Sequence, residues 1–480
     1  MALVMARRTV QAVFWNYTSF GLGKLLVFLT TAVLARLLAP EEFGVVAFAT
    51  VAVSYLHVLN DLGLGAALIQ RRQDVEEAAN TVFTLNLALG ALLTLLGYAI
   101  APLVAAYFRE PLVTPILRWL GLTFVVNALG SVHVVRLQRE LAFRRKLLPD
   151  FGRSLVKGLV SIGCALGGLG VWSLVIGQLA GAVAGVILAW LVLRWRPRLR
   201  VNRPLAASLL GFGLSVVGVD ALATISDNLD YLIVGRVLGE TALGIYTLAY
   251  RLPELLVLNI LWVMAAALFP AYASVQDRPE LLRQGFLTTL RYVEILSLPL
   301  CLGLILAAEP LVLVAFGSQW TAAIPIVRIL GLFALVRSIG SNVGDVYKAV
   351  GRPDILFKLG LVNLAVLAPA LWFGSGYGLA GVAWGHVAGG LFRTVLRLLV
   401  ATRTVQVSLG DILAQLRPAL AGGIVLVALA WPILTWTQDL SPLVQLLTAS
   451  AGGAAGYLAV LWWLERDSLR RVGRLIMVKG

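Results

Sequence analysis

Apolar runs of about 20 residues recur along the whole chain, broken by short stretches that carry most of its charge. Each run can cross a bilayer as a helix, and none shows the strict alternation over about 10 residues that a membrane barrel requires. The pattern predicts an all-α integral membrane protein with about fourteen transmembrane helices. The first six are roughly Trp15 to Leu37, Phe43 to Ile69, Thr81 to Tyr107, Ile116 to Val135, Phe151 to Leu169 and Val171 to Leu193. The next six are Leu205 to Val234, Leu243 to Tyr272, Phe286 to Ala308, Ala323 to Tyr347, Phe357 to Gly374 and Ala380 to Val400. Two more, Pro418 to Trp436 and Leu443 to Leu464, come after them.

The two sets of six carry a repeat. Arg36, Leu38, Gly44, Ala49, Leu56, Ala66, Ala67 and Leu68 reappear as Arg236, Leu238, Gly244, Ala249, Leu256, Ala266, Ala267 and Leu268, an offset of about 200 residues. Gly168, Gly170, Gly177, Ala180 and Gly181 recur as Gly376, Gly378, Gly385, Ala388 and Gly389, about 208 residues on. Two matches at nearly one offset imply a duplicated half. The expected organisation is an N-terminal six-helix lobe over residues 1–203, a C-terminal lobe over 204–405, and two extra helices with a basic tail over 406–480. An even number of helices per lobe gives both the same orientation, related by a pseudo-twofold axis along the membrane normal. Lobes of that kind enclose a path that opens to either face by rocking, as in transporters.

Composition agrees with this class. The chain is 60% hydrophobic and 13% charged, with a mean hydropathy of +0.90, whereas soluble domains carry about a quarter charged residues. A net charge of +15 and a pI near 10.3 would suit nucleic acid in a soluble protein. Here the positive charges gather in the loops of one side, including Arg136, Arg139, Arg144, Arg145 and Lys146, and then Arg194, Arg196, Arg198, Arg200 and Arg203. The other side holds little beyond Arg109 and Arg236, with Glu41, Glu42, Glu110, Glu240, Glu309 and Asp439. That roughly tenfold bias places both termini in the cytoplasm and accounts for the pI without nucleic acid. Arg7 and Arg8 precede a first span with no small-residue cleavage site, which reads as a retained helix. Cys164 and Cys301 stand alone in apolar runs, so neither a disulfide framework nor a metal site is expected.

An ionisable group inside a spanning helix is costly, and one that cannot reach a surface is a candidate for function. Arg118, Arg153, Lys157, Arg328 and Arg397 lie close enough to predicted ends to snorkel. Lys24 lies deeper, beside Gly21 and Gly23, which leave room for another backbone or a ligand to approach. Arg251 and Glu254, three residues apart, share a helix face, and Arg291 and Glu294 repeat the spacing. For Lys24, Arg251 and Arg291, substrate contact and internal ion pairing both stand. Asp220, Asp227 and Asp230 in the seventh helix need a cation, a proton or an arginine partner. Asp61, Arg337 and Arg393 are supporting groups, with His57 and His386 as weaker members. Basic groups on a path between lobes suit an anionic substrate such as a phosphate, and the acids suit coupling to Na+ or H+. No other cofactor is expected, and the absence of a G-x-x-x-x-G-K-[ST] motif speaks against ATP hydrolysis.

The opening segment runs from Asn16-Tyr17 through Ala32-Val33-Leu34-Ala35-Arg36-Leu37-Leu38-Ala39-Pro40-Glu41-Glu42-Phe43-Gly44 to Asn60-Asp61-Leu62-Gly63-Leu64-Gly65-Ala66-Ala67-Leu68-Ile69. It resembles the polysaccharide-exporter branch of the multidrug/oligosaccharidyl-lipid/polysaccharide superfamily, most of all Wzx-type flippases of the lipopolysaccharide, colanic-acid and teichuronic-acid subgroup. The resemblance implies movement of undecaprenyl-diphosphate-linked oligosaccharide from the cytoplasmic to the outer leaflet of a bacterial inner membrane. It also implies a V of two lobes around a cationic cavity, with Lys24 and Arg251 at positions of substrate contact and Asp227 at that of a coupling carboxylate. Implied partners are the lipid-linked substrate, membrane lipids, and the glycan polymerase and glycosyltransferases of the same pathway. Two other readings stay open: a cation-coupled drug exporter of the same fold, and a membrane glycosyltransferase or ligase. An enzyme of the latter kind needs a substantial extracytoplasmic loop, and the longest expected here, about Glu309 to Ala322, has an apolar body.

Overall fold

A computed structural model describes residues 21–60, 62–71 and 73–466, with side chains described except at 210–220, 266, 267 and 353. All regular structure among the described residues is helical, and nine helical runs are long and apolar enough to cross a membrane. The protein is an all-helical, multi-pass membrane protein. It divides into two compact units, Met1–Thr247 and Leu248–Gly480.

The first unit contains α1 (residues 21–37), α2 (Pro40–His57), α3 (Leu64–Gln70), α4 (Val75–Phe108), α5 (Val113–Arg139), α6 (Phe143–Leu166) and α7 (Trp172–Val192). Most of α8 (Arg203–Pro253) also belongs to it, with a break at Gly239, where φ is 86°. The Pro40-Glu41-Glu42 stretch, expected as a turn, is the first turn of α2. Proline at N1 loses no hydrogen bond, both acids sit at the positive end of the helix dipole, and Glu42 accepts the Ala39 N–H at 2.7 Å. The expected helix from Phe43 to Ile69 is two helices, because Leu62 and Gly63 take positive φ values of 45° and 69° and the chain restarts as α3. α4 packs on α5, α6 on α7, and α5 on α7.

The second unit continues from the end of α8 through a π-turn (Glu254–Leu258) into α9 (Asn259–Ala273), α10 (Pro279–Leu306) and α11 (Ala308–Ala315). A short 3-10 turn (Ser318–Ala323) leads to α12 (Ile324–Ile339), α13 (Val343–Ala349), α14 (Pro353–Ser375), α15 (Gly378–Thr404), α16 (Leu409–Trp436) and α17 (Pro442–Leu464). The expected loop from Glu309 to Ala322 is thus mostly helical. α10 packs on α12, α14 on α15, and α12 on α15, the same adjacency as in the first unit, while α16 covers α10 and α17 covers α16. Trp436 and Trp463 lie at the ends of α16 and α17 and are 82% and 81% exposed, the place a bilayer interface gives to indole rings.

The repeated glycines mark close helix crossings. A Cβ at Gly177 or Gly181 of α7 would lie 2.9 Å or 2.8 Å from the carbonyl oxygens of Lys157 or Arg153 on α6, and one at Gly385 of α15 would lie 2.6 Å from that of Ala370 on α14. Small residues every fourth position let helix backbones touch where lipid offers no hydrophobic drive.

Within the first unit, repeat-related residues also touch each other. Gly44 faces the backbone of Glu240, Gly244 faces the backbone of Pro40, and the Thr241 hydroxyl donates to Glu41 at 3.0 Å across 200 residues of sequence. Contacts 44 to 240, 244 to 40 and 41 to 241 are one contact exchanged, which is what a local twofold arrangement produces. Beside it Gly235 lies against Phe48 and Phe108, whose rings stack 4.3 Å apart, and Arg236 donates to the Tyr107 carbonyl at 2.8 Å.

The basic linker between α7 and α8 is fastened down rather than free. Trp195 is buried, its indole N–H donating to Glu76 at 2.5 Å and its carbonyl 3.1 Å from His133. Arg136 bonds the other Glu76 oxygen at 3.0 Å, Asn80 accepts the Arg198 N–H at 2.7 Å, and Asn202 donates to Glu77 at 2.9 Å.

Candidate functional site

The singled-out residues divide between the units. Asp61 lies outside the described residues, as does the side chain of Asp220. In the first unit Lys24 is partly buried on α1, next to a stripe in which Gly23 and Thr30 face α6 at Ser154 and Gly158. Of the α8 acids, Asp230 is fully buried and holds the Tyr246 hydroxyl at 2.8 Å, while Asp227, almost one turn earlier, is exposed. The two therefore differ in what they can exchange: Asp230 serves an internal hydrogen bond and Asp227 reaches the surface of its unit.

In the second unit Arg251 and Glu254 pair at 3.1 Å at the end of α8. The helix widens into the π-turn here because Pro253 has no N–H to give to the preceding turn. Arg291 and Glu294 share the same spacing but do not pair. Arg291 binds Glu465 just past the end of α17, and Glu294 turns inward to Ser338 of α12 at 3.2 Å.

A second group forms where α8, α12 and α15 meet. The buried His386 ring lies edge-on to Phe333 at 4.2 Å and to Tyr250 at 6.1 Å. Arg337 stands over the Phe333 ring at 5.9 Å, and Arg337 and Arg393 are the cations whose fields reach His386. The structure thus gathers two guanidinium groups and three rings, with Arg251 next in sequence to Tyr250. Guanidinium groups match phosphate oxygens in charge and geometry, while the buried Phe333 and His386 rings pack the group together. Sequence reasoning singled out Arg337, Arg393 and His386 one at a time. Their convergence had no signal in spacing, since Phe333 and His386 are on different helices, and Glu465 as the partner of Arg291 was equally hidden.

Similarity to known proteins fits this geometry. The model of a family described as polysaccharide biosynthesis protein matches residues 33–325. The lipopolysaccharide biosynthesis protein WzxC of Escherichia coli (strain K12) is 28% identical over 412 residues, covering 84% of this chain and 82% of that protein. The succinoglycan biosynthesis transport protein ExoT of Rhizobium meliloti (strain 1021) is 26% identical over 489 residues, covering 98% of this chain and 96% of its own. Among solved structures, the lipid II flippase MurJ in an inward closed conformation matches with a TM-score of 0.74 at 14% identity, over 95% of this chain and 99% of that one, which places the fold. The match to the family model covers more than half of the chain, and the protein belongs to the polysaccharide biosynthesis protein family.

Proposed function

We propose that the protein is a flippase that carries polyprenyl-diphosphate-linked oligosaccharide from the cytoplasmic to the outer leaflet of a bacterial inner membrane by alternating access. The observation that carries this reading is the cluster of Arg337 and Arg393 with Tyr250, Phe333 and His386 inside a chain of this family. An anionic headgroup asks for guanidinium groups of this kind. The transport role in the name of ExoT and the repeated helix adjacency support it. In the same reading the chain has fourteen spans in two like-oriented six-helix lobes plus two helices, with both termini cytoplasmic. Lys24 and Arg251 contact substrate, Arg291 keeps to ion pairing within the protein, where Glu465 holds it, and of the three α8 acids Asp227 exchanges the coupling Na+ or H+, because Asp230 is committed to Tyr246.

The test is complementation of a deletion strain. Lys24→Ala or Arg251→Ala should accumulate to normal levels yet leave the cell without surface polysaccharide. Normal polysaccharide at normal protein level would remove these residues from the mechanism. Resistance to cationic drugs on overexpression, with no glycan defect on deletion, would replace the reading by a drug exporter of the same fold.

A further inference from the structure

α10 carries a carboxyl group that the reading above does not use. Glu294 is 1% exposed, among Val293, Leu298, Cys301 and Leu335, and its Oε1 has no hydrogen-bond partner among the described residues. Its Oε2 is 3.2 Å from the Ser338 hydroxyl oxygen, which is itself 2.7 Å from the Leu335 carbonyl oxygen. A hydroxyl has one proton, and a carbonyl can only accept. We place that proton in the shorter bond, to Leu335, which leaves the Ser338 oxygen facing Glu294 as an acceptor. Two acceptors face each other unless the carboxyl supplies a proton.

Among the described residues no cation takes the proton's place. Arg291 precedes Glu294 by three residues, within reach on the same face, yet its guanidinium is held by Glu465. The titratable neighbours of Glu294 are Cys301 on its own helix and Tyr457 of α17, whose hydroxyl donates to the Ile295 carbonyl at 2.8 Å. Charged groups on the other packed elements are turned elsewhere: Arg337 of α12 to the Phe333 ring, Glu309 of α11 to Arg328, Asp411 of α16 to Arg283, and Glu254 of the π-turn to Arg251, while Arg417 of α16 is exposed. One carboxyl and one hydroxyl fall far short of the roughly six oxygens that a hard metal cation gathers.

We propose that Glu294 and Ser338 form a proton-binding site. In the conformation described, the carboxyl holds a proton at neutral pH and donates it to Ser338. When Arg291 leaves Glu465 and turns one helical turn along α10, the proton passes to water and a Glu294–Arg291 ion pair takes its place. Arg291 thus exchanges one carboxylate for another, and only the protonation of Glu294 changes. The site supplies a coupling proton in the second unit, a use that rests on the carrier reading, although the site's existence does not.

Infrared spectroscopy of the full-length protein in lipid nanodiscs at neutral pH tests this without any transport measurement. The wild type should show a protonated-carboxyl C=O band that is missing in Glu294→Gln, a nearly isosteric change. Glu465→Gln, which weakens the hold on Arg291, should lose the same band. No protonated-carboxyl band in the wild type, or a band unchanged in Glu294→Gln, would overturn the site, and a band retained in Glu465→Gln would overturn the exchange. Failure of glycan export assays would count against the carrier reading and leave the infrared result standing.

Discussion

Replacing Gly44 with alanine should destabilise the protein although it improves helix propensity. A methyl group there would lie 2.6 Å from the carbonyl carbon and 3.0 Å from the Cα of Glu240, and closer still to the carbonyl oxygen. Carbon atoms settle about 3.5–4.0 Å apart, so backbone must move by about 1 Å, and backbone has no rotamer to escape into. Overpacking of that kind costs about 3 kcal/mol, against which the alanine gains about 1 kcal/mol of helix propensity. The net loss is about 2 kcal/mol. Gly244→Ala meets Pro40 in the same way, its Cβ 2.8 Å from the carbonyl carbon. Because both glycines serve one exchanged contact, the double variant should lose less than the sum of the single losses. Gly163 and Gly303, with nothing within 4 Å of an added Cβ, are the controls, and alanine there should be neutral or stabilising by up to about 1 kcal/mol. Thermal unfolding in detergent, followed by tryptophan fluorescence, reads the wild type and the five variants. If Gly44→Ala unfolds with the wild type, or the two losses simply add, the exchanged contact is not what these glycines serve.

Glu76→Ala removes the acceptor of the Trp195 indole and of Arg136, a loss of about 1 kcal/mol that should loosen the linker after α7. Trypsin should then cut faster after Arg194, Arg198 and Arg200, and unchanged cutting would mean that Glu76 does not hold the linker. Ser408→Ala removes the side-chain cap on Asp411 N–H at 3.0 Å and should cost α16 about 1 kcal/mol in thermal unfolding, with Ser408→Asp retaining it. Arg283→Ala breaks an ion pair with Asp411 whose side chains are more than 30% exposed, so thermal unfolding should shift little, and less still in salt.

What was legible in the sequence is what one-dimensional pattern can carry. Apolar runs of spanning length announced a helical membrane protein, and fixed-offset identities marked the glycines that later prove to sit at helix crossings and at the exchanged contact. Helix ends were less legible. Arg144, Arg145 and Lys146 read as loop because hydropathy registers only the apolar part of a helix, yet they ride on the first turns of α6. Leu62 hid a break because nothing in a leucine foretells a positive φ. Ion pairs were legible only where they are local. Arg251 and Glu254 meet at the spacing that suggested it, whereas Arg291 at the same spacing goes to Glu465, 174 residues away, and leaves Glu294 to α12. Helical spacing says which residues could meet, and tertiary packing decides among them.

The proposed movement of a lipid-linked glycan across a bilayer can be measured directly. The direct measurement is in proteoliposomes made with a fluorescent undecaprenyl-diphosphate-linked oligosaccharide, reading the fraction of label that an impermeant quencher reaches over time. The wild type should raise that fraction well above protein-free vesicles, and Arg251→Ala should fall back toward them. A wild-type rate equal to that of protein-free vesicles would contradict the account.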